Sequence, residues 1–125
     1  MNAYARSQMA YSQSKSATRT SQSIEYELFA NITSALVRYR DSAKDNYSEF
    51  VAALHDNRRL WLTLASDVLE DGNMLPVMLR GQIVYLAEFT RLHTSHILNG
   101  NAKVDPLIEI NRSIMKGLFS QRGVK

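Results

Sequence analysis

Two similar tripeptides, Asp71-Gly72-Asn73 and Asn99-Gly100-Asn101, interrupt a chain whose apolar residues otherwise recur at helical spacing. Glycine and asparagine accept the left-handed backbone that closes a helix C-terminus. Each tripeptide therefore reads as a stop. Each is followed by a start, first Pro76 and then Asp105-Pro106, because proline suits the first helical turn and aspartate caps it. Four helices follow. The first is expected over 23–40, with Leu28, Phe29, Ile32, Leu36 and Tyr39 on one stripe, Ser23 as N-cap and Glu25 and Glu27 in the first turn. The second is expected over 47–70, with a seam of Phe50, Leu54, Trp61, Leu64 or Ala65, and Val68, widened by Val51, Leu62 and Leu69. The third is expected over 76–98. It is apolar on two sides, with Leu79, Ile83, Leu86 and Phe89 on one and Val77, Val84, Tyr85 and Leu92 on the other. A helix apolar nearly all round belongs in the middle of a fold, so this one is expected to be the central element. The fourth starts at Asp105-Pro106, buries Leu107, Ile110, Ile114 and Leu118, and ends before Gly123. No strand pattern competes. The expected fold is all-α, a small bundle of four main helices with short connections that favour antiparallel neighbours. Leu54, Trp61, Leu86, Phe89, Ile110 and Ile114 are expected in its core.

The first 22 residues differ in kind. They are rich in Ser, Gln, Thr and Ala, and their large apolar residues are Tyr4, Met9 and Tyr11. Too little area is available there for burial, so residues 1–22 are expected to be a mobile or weakly helical arm before a single helical domain over 23–125. Tyr4 and Tyr11 stand two helical turns apart, so a helix would align them on one side for a partner. The composition superficially suits a transit peptide as well. Charge separates the arm from the rest. Of fifteen Lys and Arg, three (Arg6, Lys15 and Arg19) lie before Ser23, and all twelve Asp and Glu follow it. The formal charge of +3 therefore belongs to the arm, and the bundle is balanced. A nucleic-acid binder concentrates positive charge on the folded face that meets phosphate.

Catalytic and cofactor signatures are lacking. The chain has no cysteine, which removes disulfides, Cys-ligated zinc and thiol chemistry. His93 and His96 are three apart on one helix, but a metal site needs further ligands. His93 shares the stripe of Leu79, Leu86 and Ile97 and reads as a hydrogen-bonded core residue. No glycine-rich phosphate loop is present. Gly81, inside the third helix, costs roughly 1 kcal/mol relative to alanine and reads either as close packing against a neighbour or as a local weakness of the helix without further role. Neither a transmembrane run nor a secretory h-region appears. No enzyme, cofactor, metal or membrane insertion is expected.

The stretch LHDNRRLW, residues 54–61, concentrates the polar residues of the second helix. Helical position divides them. His55, Asp56 and Arg59 project away from the seam, while Asn57 falls between Leu54 and Trp61, and Arg58 falls on the stripe of Val51 and Leu62. A buried guanidinium needs a carboxylate or carbonyl partner. Glu25, Glu88 and Glu109 are the candidates, and Asn111 lies on the inner face of the fourth helix. One reading is a polar network of Glu25, Asn57, Arg58, Glu88, Glu109 and Asn111 that fixes helix register. The other is that Arg58 and Arg59 contact a partner directly.

Several segments, taken in order, resemble the FlaF family of flagellar-biosynthesis regulators from alphaproteobacteria. They are MNAYARSQMAY from Met1, SIEYELFANIT from Ser23, ALHDNRRLW from Ala53, YLAEFTRLH from Tyr85 and LIEINRSIMKGL from Leu107. The match spans nearly the whole chain and argues against a transit peptide. The resemblance implies a small cytoplasmic helical protein needed for flagellin production or export, as a secretion chaperone or as a positive regulator opposing FlbT. Flagellin would be its partner, with FlbT a second candidate. A bundle can hold an amphipathic segment in an apolar groove without cofactor or catalytic residue. Tyr4, Tyr11, Tyr26 and Phe29 are the candidate apolar contacts and Arg58 and Arg59 the polar anchors. The alternative is control of flagellin translation, through FlbT or by RNA binding through Arg6, Lys15 and Arg19, joined by Arg58 and Arg59. The balanced bundle weighs against the RNA route.

Overall fold

The computed structural model describes residues 26–120. Four helices follow one another: α1 (Tyr26–Arg40), α2 (Tyr47–Val68), α3 (Val77–Leu98) and α4 (Asp105–Ser120). Packing pairs α1 with α2, α2 with α3, α3 with α4, and α4 with α1, so the helices form a closed ring. Side chains fix the directions. Tyr26 at the start of α1 meets Phe119 at the end of α4, with ring centroids 5.2 Å apart. At the other end, Arg40 Nη1 reaches Asp105 Oδ2 at 3.4 Å. Neighbours are antiparallel throughout, as short connections require.

The helix ends show why the chain turns where it does. After α3, Gly100 has φ +80. Its N–H donates to Ile97 O and that of Asn101 donates to His96 O, the paired bonds of a Schellman cap. The first stop works differently from expectation. α2 ends at Val68 rather than Glu70, with Leu69 as its C-cap. Gly72, at φ +84, serves a separate turn closed by Asn73 N–H to Glu70 O. Asn73 then splices the connection: its Nδ2 donates to Asp67 O, and its Oδ1 accepts from Leu75 N–H. At the start of α4, Leu107 and Ile108 N–H both bond Val104 O, so the helix begins at Asp105, one residue before the proline.

The core has two apolar clusters stacked along the bundle axis. Phe29, Leu60, Trp61, Leu64, Val68, Ile83, Ile114, Leu118 and Phe119 form the one nearer the α2–α3 connection. Leu36, Phe50, Ala53, Leu54, Ile97, Val104, Leu107 and Ile108 form the other. Between them lie buried polar residues from every helix, Thr33, Asn57, Thr90 and Asn111, with Thr94 one turn further along α3. Spacing explains the register. Ile83, Thr90 and Ile97 are seven apart, and Leu54, Asn57, Trp61 and Leu64 alternate three and four, the heptad step of antiparallel bundles.

α2, not α3, is the central helix, with eight buried residues including Asn57 and Trp61. α3 buries only Ile83, Thr90, Thr94 and Ile97, and Val77, Met78, Tyr85 and Leu92 are exposed. The expectation of a fully buried third helix is corrected. Of its second apolar side, Val84 packs against the core at its margin, and Val77, Tyr85 and Leu92 face outward. Of the expected core, Leu54, Trp61 and Ile114 are buried, while Leu86, Phe89 and Ile110 are half-buried at its margin.

Candidate binding face on the second and third helices

Asn111 organises the middle layer. Trp61 Nε1 donates to its Oδ1 at 2.8 Å. Its Nδ2 donates to Asn57 Oδ1 at 2.8 Å and to Thr33 Oγ1 at 3.0 Å, and Thr33 donates on to Phe29 O. Asn57 and Asn111 thus meet inside the fold. Of the expected acidic members, Glu88 and Glu109 do not join them. Glu109 is exposed. Glu88 is also exposed and pairs with Arg91 at 2.7 Å, so Arg91, chiefly by hydrogen bonding and then by charge, holds its carboxyl below the usual value. Glu25 lies outside the described residues. Arg58 is half-buried along its stem, and no bond joins its guanidinium to another described residue. Its aliphatic stem covers apolar surface while its head stays in water. The spacing of Arg58 suggested burial because Val51 and Leu62 were counted as core, yet Leu62 is 66% exposed.

The apolar contact candidates divide as well. Phe29 is fully buried, edge-on to Trp61 with centroids 6.1 Å apart, so its ring is unavailable to a partner. Tyr26 is 56% exposed and walls an open groove of about 420 Å³ between α1 and α4, with Ser34, Arg38 and Arg112. Arg59 is exposed on α2. Tyr4 and Tyr11 lie outside the described residues. The histidines do not pair. His93 is half-buried, stacked on Phe89, and donates from Nε2 to Lys103 O at 2.7 Å, whereas His96 is exposed. Among the described residues no group of three metal-ligating side chains assembles.

A larger apolar surface emerges on the other side of the bundle. Met78, Tyr85 and Leu92 are seven apart on α3 and all exposed, Met78 by 87% and Tyr85 by 71%. At about 100° per residue, Tyr85 points about 200° away from Ile83, directly away from the core. The stripe runs roughly 21 Å. Leu62 and Leu69 repeat the spacing on α2, and Met74 in the connection and Val77 at the start of α3 join them. The His93–Lys103 bond ties one flank of α3 to the α3–α4 connection, and Val84 on the other flank packs against the cluster that holds Leu60, Trp61, Leu64 and Val68 of α2. The same handedness in antiparallel α2 brings Leu62, Leu69 and Arg58 round towards α3. Gly81 sits in this stripe one turn from both Met78 and Tyr85. A Cβ built there would meet no atom within 4 Å, so no neighbour inside the described chain requires the glycine. It leaves a notch in an exposed apolar face. The heptad of Met78, Tyr85 and Leu92 was visible in the sequence, but periodicity alone reads an apolar face as a buried one.

Large apolar side chains gathered in such number on one region of a surface mark a place where something binds. Among the described residues, no helix is long and apolar enough to cross a membrane. The family model of flagellar protein FlaF matches residues 7–118. No curated protein and no solved structure matches the chain.

Proposed function

The chain belongs to the FlaF family of flagellar proteins, and on that premise we propose that it binds flagellin without catalysis, keeping it fit for export in the cytoplasm and so promoting its production. The single observation that carries the reading is the exposed apolar strip of Leu62, Leu69, Met74, Val77, Met78 and Tyr85. An amphipathic segment anchored every seven residues matches its spacing. Flagellin monomers carry such segments at their termini, and these pack only in the filament. Arg58 and Arg59 border the strip on α2 and serve as polar anchors at its edge, where a charge steers encounter more than it adds affinity. Tyr26 remains a secondary contact candidate on the α1–α4 groove.

The test mixes the purified full chain with flagellin and, separately, with FlbT, and measures each complex by calorimetry. The reading expects a flagellin complex that Met78→Asp with Tyr85→Asp weakens by at least about tenfold, as loss of a central apolar anchor does. Both side chains are exposed, so the variant keeps its fold. A complex with FlbT and none with flagellin overturns the chaperone reading in favour of a regulator acting through a protein partner. Binding of flagellin leader RNA with steep salt dependence would favour translational control.

A further inference from the structure

The strip on α2 and α3 needs an occupant, and the chain carries one. We propose that residues 1–25 of the same chain cover the α2–α3 face, and that a partner gains the face by displacing them.

Position makes this feasible. Phe29 in the first turn of α1 shares a cluster with Val68 at the end of α2, and Leu75 packs against that cluster. The preceding 25 residues therefore leave the bundle at its α2–α3 end, where Leu69, Met74, Val77 and Met78 are exposed. Twenty-five residues span up to about 80 Å extended and still about 37 Å as a helix, against a strip of roughly 21 Å.

Charge points the same way. Residues 1–23 carry Arg6, Lys15 and Arg19 and no acidic residue. The end of the bundle they leave from exposes Glu27, Glu70 and Asp71. Of the basic side chains at this end, Arg80 has its Nε engaged with Leu75 O, and Lys116 near the end of α4 is exposed, so the three carboxylates outnumber it. Opposite charge at the exit raises the local preference of the segment for this end over the rest of the surface.

Spacing completes the match. Tyr4 and Tyr11 are seven apart, the interval of Met78, Tyr85 and Leu92 on α3 and of Leu62 and Leu69 on α2. The Gly81 notch gives a tyrosine ring or a backbone room to approach. The family match begins at residue 7, so most of this segment belongs to the family pattern. Because the segment is tethered, its effective concentration at the face is high, and a weak contact suffices to hold it. A free partner must outcompete that contact.

The displacement half of this proposal rests on the flagellin reading, whereas occupancy is tested with no partner present, so the two can fail separately. Trypsin cleaves after Arg6, Lys15 and Arg19. In the full chain those bonds should be cut at least about tenfold more slowly than in the Met78→Asp/Tyr85→Asp variant, because protection follows the equilibrium between covered and open forms. Raising the salt concentration should speed cleavage of the unaltered chain. Equal rates in both proteins, with circular dichroism showing both folded, overturn the proposal. A second measurement avoids altering the strip's charge. The chain has no cysteine, so Tyr11→Cys with Tyr85→Cys under mild oxidant should give an intrachain disulfide. Tyr11→Cys with Ser34→Cys, which lies across the bundle in the α1–α4 groove, should not. Equal yields from the two pairs would mean an arm without a docking site. Disulfide-linked dimers from the first pair would assign the face to a second copy, and either result overturns the proposal.

Discussion

Asn111 shows how much one buried side chain decides. It accepts from Trp61 and donates to both Asn57 and Thr33, so α1 and α2 are tied to α4 through a single amide. Removing it strands a buried indole N–H and a buried carbonyl. Asn111→Ala is expected to cost about 2–5 kcal/mol, the sum of cavity and unpaired-group effects, measured by urea unfolding. Trp61→Ala should cost about 3–5 kcal/mol, since its ring is 1% exposed. Thr90 is the contrast. Its hydroxyl is buried without a hydrogen-bond partner among the described residues, as is Asn57 Nδ2. Thr90→Val removes an unpaired polar atom at constant shape and should be neutral or stabilising by up to about 1.5 kcal/mol. A loss of stability instead would mean that the hydroxyl is engaged. The inward placement of Asn57 was legible from its position between Leu54 and Trp61. Its partner was not, because residue 111 reaches it only across the diagonal of the ring.

Helices were the most legible scale. Four apolar stripes, two glycine stops and two proline starts place every element within a few residues of its observed bounds. Legibility ended at the question of what each stripe faces. α3 was expected at the centre because both its sides are apolar, but on the second side only Val84 packs against the core, while Val77, Tyr85 and Leu92 are exposed. Gly81 and Gly100 separate the two uses of glycine in this helix. Gly81→Ala meets no atom within 4 Å and should stabilise the fold by about 0.5–1 kcal/mol through helix propensity. The added methyl stands in the notch of the apolar strip, so the same change should weaken whatever docks there. Gly100 holds φ +80 in the cap of α3. Gly100→Ala should destabilise by about 1 kcal/mol or more, since a side chain strains the left-handed backbone. Thermal melts of the pair should move in opposite directions.

At the scale of the whole molecule, the bundle ring buries one face of every helix and leaves a second apolar surface along α2 and α3. That surface should be separable from stability. Substituting Met78 and Tyr85 by aspartate should move the thermal midpoint by no more than about 2–4 °C, since exposed positions change stability little, while binding of the amphipathic partner is lost. Loss of both together would place these side chains in the core's support instead.

Periodicity, capping residues and the absence of strand patterns determined the secondary structure, the helix count and the all-α class from the sequence alone. They could do so because capping and helical amphipathicity act over distances of a few residues. The ring arrangement, the Thr33–Asn57–Asn111 contact, the exposure of Glu88 and Glu109 and the outward face of α3 depend on which helix lies beside which. A stripe of apolar residues states that a surface avoids water. Only the packing of the chain decides whether its own core or another segment provides the cover.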